Sequence, residues 1–171
     1  DEDLDYLEEV AQEYAGELKI SACGPWTFAA GVELPSGERM LRDPGAVRDL
    51  IGALSEALIL HVAQVRRRFP RASSLLLQLD EPMLPAVLAG RIDTASGLSR
   101  YPAVDAQVVT AGVEQVLTSI AGAQALGGVH CCAPAVPLDL LRAAGAQFCS
   151  VDLLIDQDEE QIGRAWESGP D

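Results

Sequence analysis

Apolar residues recur at helical spacing in long stretches and gather in short runs between them, and the two patterns alternate along the chain. Leu4, Leu7, Val10 and Tyr14 predict a helix over 3–15, with Gly16 as its stop. Leu18, Ile20 and Ala22 then alternate in a short strand running into a loop at Cys23-Gly24-Pro25-Trp26-Thr27. Asp43-Pro44 is an N-cap followed by proline in the first turn, and Val47, Leu50, Ile51, Leu54, Leu58, His61, Val62 and Val65 continue one face as far as Phe69-Pro70. Arg66, Arg67 and Arg68 fall in the last turn of that helix, where positive charge favours the negative end of the helix dipole. Ser74 to Leu79 is a nearly continuous apolar run, the pattern of a parallel strand covered on both faces, and it ends in Asp80-Glu81-Pro82. A short helix is expected over 83–89. Asp105 caps a second long helix bearing Val108, Val109, Val113, Val116, Leu117 and Ile120, with Gly127-Gly128 as its stop. Val129 to Cys132 ends the next strand, 137–144 forms a short helix, 148–153 a further strand, and 158–167 a last helix in which Trp166 is a packing residue.

Single strands alternating with helices imply right-handed βαβ units and therefore an α/β fold with a parallel sheet. Two architectures use this order, the open doubly wound sheet and the closed (β/α)8 TIM-type barrel. The first strand-to-helix turn lacks the glycine spacing of a dinucleotide fingerprint, since Cys23-Gly24-Pro25-Trp26 offers one glycine and a proline. The polar candidates instead sit at the C-terminal ends of several different strands, which is where barrels build their sites. The expectation is a partial barrel of about four βα units. Residues 1–171 then represent a fragment of a single barrel domain, truncated at both ends.

Composition narrows the partners. Twelve basic residues against twenty-six acidic ones give a net charge of −14, and no basic stretch is interleaved with aromatics, so nucleic acid is not an expected partner. The longest apolar runs fall far short of the roughly 20 residues of a membrane span, no signal peptide opens the chain, and a cytoplasmic location is expected. Four cysteines, two of them adjacent at Cys131-Cys132, make a poor disulfide framework and a better source of thiols or metal ligands.

His130 and Cys132 lie two apart, so on an extended strand they share a face while Cys131 points away. Imidazole and thiolate are zinc ligands; a buried histidine beside small apolar cysteines is the competing reading. Asp80 and Glu81 close their strand either as a carboxylate at the mouth of the sheet or as a cap on the helix at 83–89, and one residue can serve each role. Asp152 closes its own strand in Ser150-Val151-Asp152. Trp26 is either a core anchor or a flat surface for a substrate ring. Cys23, Cys149 and His61 are expected in the core.

Taken in order, Gly24-Pro25-Trp26-Thr27, Gln78-Leu79-Asp80-Glu81-Pro82, His130-Cys131-Cys132 and Ser150-Val151-Asp152 resemble the C-terminal catalytic barrel of cobalamin-independent methionine synthases, over residues 17 to 153. The short single-barrel relatives found in actinobacteria are the nearest in form, and uroporphyrinogen decarboxylase belongs to the wider superfamily. The resemblance implies a zinc-dependent methyltransferase that moves a methyl group from a methyltetrahydrofolate to the thiol of homocysteine. It implies His130 and Cys132 as zinc ligands, with Asp152 standing where the family has a glutamate ligand, and it offers no match to a further cysteine ligand downstream. It implies that Asp80 holds the amino group of homocysteine, with Glu81 and Trp26 as neighbouring candidates for substrate contact. The alternative is a barrel of the same superfamily that binds another small molecule without turnover. A fragment of such a barrel is expected to be inactive by itself.

Overall fold

The computed structural model describes residues 2–11, 13–155 and 158–167. Helix α1 (Glu2–Ala11) precedes β1 (Glu17–Cys23), α2 (Pro25–Gly31) and α3 (Pro44–Arg68). Strand β2 (Ser74–Asp80) is followed by α4 (Leu84–Leu88) and α5 (Ala106–Gly122), β3 (Leu126–Cys131) by α6 (Leu138–Ala143), and β4 (Phe148–Val151) by α7 (Glu159–Glu167). The strands form one parallel four-stranded sheet in the order β1-β2-β3-β4.

Local chemistry explains the boundaries. Asp43 caps α3 as its pattern predicted, accepting hydrogen bonds from Gly45 N (2.8 Å) and Ala46 N (3.1 Å). Asp105 caps α5 in the same way through Gln107 N at 2.8 Å. Helix α1 stops at Ala11, short of the expected 15, and Tyr14 folds back so that its hydroxyl donates to Glu17 O at 3.0 Å. Gly16 makes room for that fold, because a Cβ there would lie 2.4 Å from the Tyr14 hydroxyl. Helix α5 does not end at Gly127-Gly128: it ends at Gly122, Gln124 adopts a left-handed φ of 67°, and both glycines lie inside β3. Gly128 is needed there because the Phe148 ring of β4 lies over it, 2.5 Å from where a Cβ would stand. The loop expected at 23–27 is already helical from Pro25, which sits in the first turn of α2, where a missing N–H costs nothing.

Strand alternation divides the sheet into two unlike faces. One carries Leu75, Leu77, Leu79 and Val129, all buried, beneath a helical layer built from Leu58, Val62 and Val65 of α3 and Val109, Val113, Val116 and Ile120 of α5. The other carries Lys19, Ser21 and Cys23 of β1, Leu76, Gln78 and Asp80 of β2, Gly128 and His130 of β3, and Phe148 and Ser150 of β4. Lys19, Ser21 and Cys23 are exposed on it. Strand β2, expected to be covered on both faces, is thus fully covered on one. No helix among the described residues is long and apolar enough to cross a membrane. The side chain of Trp166 lies outside the described residues.

Candidate functional site

The C-terminal ends of the four strands bring one lateral row of side chains to the open face. Cys23 pairs with Asp80, Asp80 with His130, and His130 with Ser150 in the parallel register, so the four sit side by side on successive strands. Strands lie about 4.8 Å apart, which makes each residue of the row a neighbour of the next.

Each member is oriented by another group. Lys19 donates from Nζ to Gln78 Oε1 at 3.0 Å, and Gln78 donates from Nε2 to Asp80 Oδ1 at 2.7 Å. That relay fixes the Asp80 carboxylate at the mouth of the sheet. His130 Nδ1 lies 3.1 Å from Ser150 O and 3.2 Å from Ser150 Oγ. A carbonyl only accepts, so the proton belongs on Nδ1 and the lone pair on Nε2. This is the arrangement of a histidine prepared to ligate through Nε2. Cys131 is buried on the helix-covered face and Cys132 is exposed, so the adjacent thiols part as the two-residue spacing required.

The carboxylates of Asp80 and Glu81 serve different faces. The Glu81 N–H continues the ladder by donating to His130 O at 2.8 Å, which gives Glu81 the parity of Leu79 and buries it completely. Its Oε1 accepts from Trp26 N at 2.9 Å, and its Oε2 accepts from Thr27 N and Thr27 Oγ1, both at 2.7 Å. Glu81 therefore secures the first turn of α2 and is turned away from the open face on which Asp80 stands. Neither acid caps the helix that follows, whose N-cap is Met83 without a side-chain bond. Desolvation pushes the Glu81 carboxyl up to about 7 against the hydrogen bonds from Thr27 and Trp26, with nearby Asp80 adding to the rise.

Trp26 resolves to the core anchor: it is 1% exposed and its Nε1 donates to Val109 O at 3.2 Å. Asp152 follows β4 and its Oδ1 accepts from Leu154 N at 2.8 Å, an Asx turn closing on its own backbone. Among the described residues no group of three or more His, Cys, Asp or Glu side chains is gathered closely enough to hold one metal ion. His130 and Cys132 have the donor chemistry of zinc ligands, but Asp152 is not gathered with them as a third.

Cys23 and Cys149, expected in the core, are exposed. Cys23 stands on the open face beside Asp80, and Cys149 on β4, an edge of the sheet among the described residues, where partial burial still pushes its thiol up to about 11. Desolvation, then the charges of Glu81 and Asp80, push the Cys23 thiol above its ordinary range. His61 is half-buried on α3. Cys23, Ser150, Gln78 and Lys19 are the site residues that sequence reasoning missed. The strand ends at Cys23 and Ser150 were visible, but only the register joins them to Asp80 and His130. No known family, curated protein or solved structure matches the chain.

Proposed function

We propose that the open face belongs to a (β/α)8 barrel-type protein that methylates the thiol of a small amino acid, homocysteine being the acceptor and a methyltetrahydrofolate the donor. The observation that carries this reading is the juxtaposition of Asp80 and His130 on adjacent strand ends, with Cys132 just past the end of β3. Two features of the fold support a barrel. The strand order is sequential with no reversal, whereas a doubly wound sheet reverses order at a switch point. The α3–α5 layer covers one face of the sheet and leaves Lys19, Ser21 and Cys23 of the other without a helical cover, and helices on the outer face alone are the arrangement of a barrel.

In this reading Asp80 receives the substrate ammonium through a charge-assisted hydrogen bond, and Gln78 holds the carboxylate in place for it. His130 Nε2 and Cys132 Sγ would contribute two zinc ligands. Bound zinc supplies the acidity that leaves a coordinated thiol as thiolate near neutral pH. Ser150 keeps the His130 proton on Nδ1 and so keeps Nε2 available.

Calorimetric titration of homocysteine, with zinc and with a chelator, tests the reading. Homocysteine binding is expected to require zinc, and His130→Ala or Cys132→Ser is expected to weaken zinc binding by at least about tenfold. Homocysteine binding that is indifferent to zinc and to both substitutions would refute it. The position of Asp152, closed on Leu154 N, favours a second reading, a barrel of the same superfamily that binds a small molecule without turnover. Metal-independent binding that is lost in Asp80→Asn would support that second reading.

A further inference from the structure

A cavity of about 820 Å³ lies away from the open sheet face, between the N-terminal halves of α3 and α5 and under the segment 101–104. Its walls are Trp26, Val47, Ile51, Tyr101, Val104 and Val108. The polar atoms of the two aromatic walls are already engaged. Trp26 Nε1 donates to Val109 O, while the Tyr101 hydroxyl donates to Glu38 and accepts from Arg39 N at 2.9 Å. Both rings are almost wholly buried and form the floor, while Pro102, Val104 and Val108 supply the accessible apolar surface of a cavity whose volume is that of a small-molecule site.

Two exposed lining residues, Arg42 and Arg48, set the charge at the mouth. Neither has an ion-pair or hydrogen-bond partner among the described residues, a state they share with Arg67 and Arg91, whereas Arg39, Arg68, Arg71, Arg100, Arg142 and Arg164 are paired with carboxylates. In a chain of net charge −14, two unneutralised guanidiniums at the rim of one apolar cavity are a local inversion of sign. The acids adjacent in sequence are Asp43, which spends Oδ1 on the first amides of α3, and Asp49, which forms no ion pair with Arg48 among the described residues.

We propose that this cavity is a binding site for a small amphipathic monocarboxylate, its apolar body against Pro102, Val104 and Val108 and its carboxylate between Arg42 and Arg48. Guanidinium matches carboxylate in a planar, two-bond geometry. Trp26 and Tyr101 offer no spare donor further in, so the charge stays at the rim and the tail goes inside.

Titration of the full chain with octanoate, followed by calorimetry, tests the site. Saturable binding is expected, with 1-octanol at least about tenfold weaker because it cannot engage the guanidiniums. Arg42→Ala combined with Arg48→Ala is expected to erase the preference for octanoate over 1-octanol. Ala111→Phe, a change at an exposed lining position, is expected to block both ligands while leaving the thermal transition in place. Equal affinity for acid and alcohol, binding that survives Ala111→Phe, or no saturable binding of octanoate would each overturn the proposal. Equal affinity would mark an apolar surface suited to a protein segment instead.

Discussion

Glu81 holds a full carboxylate in the interior, 0% exposed, with three donors from Trp26 and Thr27 around it. Those donors favour the ionised form, yet desolvation outweighs them and the carboxyl titrates at about 7 in the fold against 4.5 for the free group. A carboxyl whose pKa is raised by folding takes up its proton more readily folded than unfolded. Its contribution to stability is therefore complete below about 4.5 and is lost as the pH climbs through about 7. The linkage amounts to roughly 3 kcal/mol between those limits. Urea unfolding between pH 5 and 8 is expected to show stability declining toward pH 8, and Glu81→Gln is expected to flatten that decline. The variant places an amide N–H2 or a single oxygen against three donors, so at pH 5 it is expected to be less stable than the parent by about 1–3 kcal/mol. A decline that persists unchanged in Glu81→Gln would assign the effect to another group.

The same contacts make one unit of two sequence motifs that lie far apart. Gly24-Pro25-Trp26-Thr27 opens α2, Asp80-Glu81-Pro82 ends β2, and the Glu81 carboxylate ties the helix to the strand. Met83 N donates to Thr27 Oγ1 at 3.1 Å and returns the tie from the other side. Gly24 has an ordinary φ of −74°, so its role is one of space: a Cβ would lie 2.4 Å from Glu81 Oε1. Gly24→Ala is expected to displace the carboxylate and destabilise the fold by about 1–3 kcal/mol, read as a lower midpoint in urea with unchanged slope. Helices with a capping aspartate, α3 and α5, were legible because the cap and the apolar face are both local in sequence. The seven-residue α2 was not, since the group that secures its first turn arrives from a residue more than fifty positions away. Parity likewise separates Asp80 from Glu81: adjacent residues on an extended chain face opposite ways, and which way is fixed only by the packing of Leu75, Leu77 and Leu79.

Across the whole molecule, alternation of strands and helices sufficed to predict a parallel sheet, and the sheet is parallel throughout. The lateral row Cys23, Asp80, His130, Ser150 was only half legible, because a row depends on register and register is a tertiary property. Charge is distributed just as unevenly. Acids outnumber bases by fourteen, and the ion pairs that do form, such as Arg68 with Asp5 and Glu8 and Arg71 with Glu13, lie at the surface. The Arg68 guanidinium holds Asp5 below the usual carboxylate range, a sign of local attraction between α1 and the end of α3. Exposed pairs of this kind are weak, while repulsion among unpaired acids sums over the entire surface. Raising ionic strength from 0.01 to 0.15 M shortens the screening length from about 30 Å to about 8 Å, which cancels long-range repulsion before it reaches contact pairs. The thermal midpoint is therefore expected to rise by about 3 °C over that range, corresponding to roughly 1 kcal/mol of relieved repulsion. Calorimetric scans in sodium chloride check it; a falling midpoint would mean that the pairs joining α1 to α3 outweigh the net charge in holding the fold together.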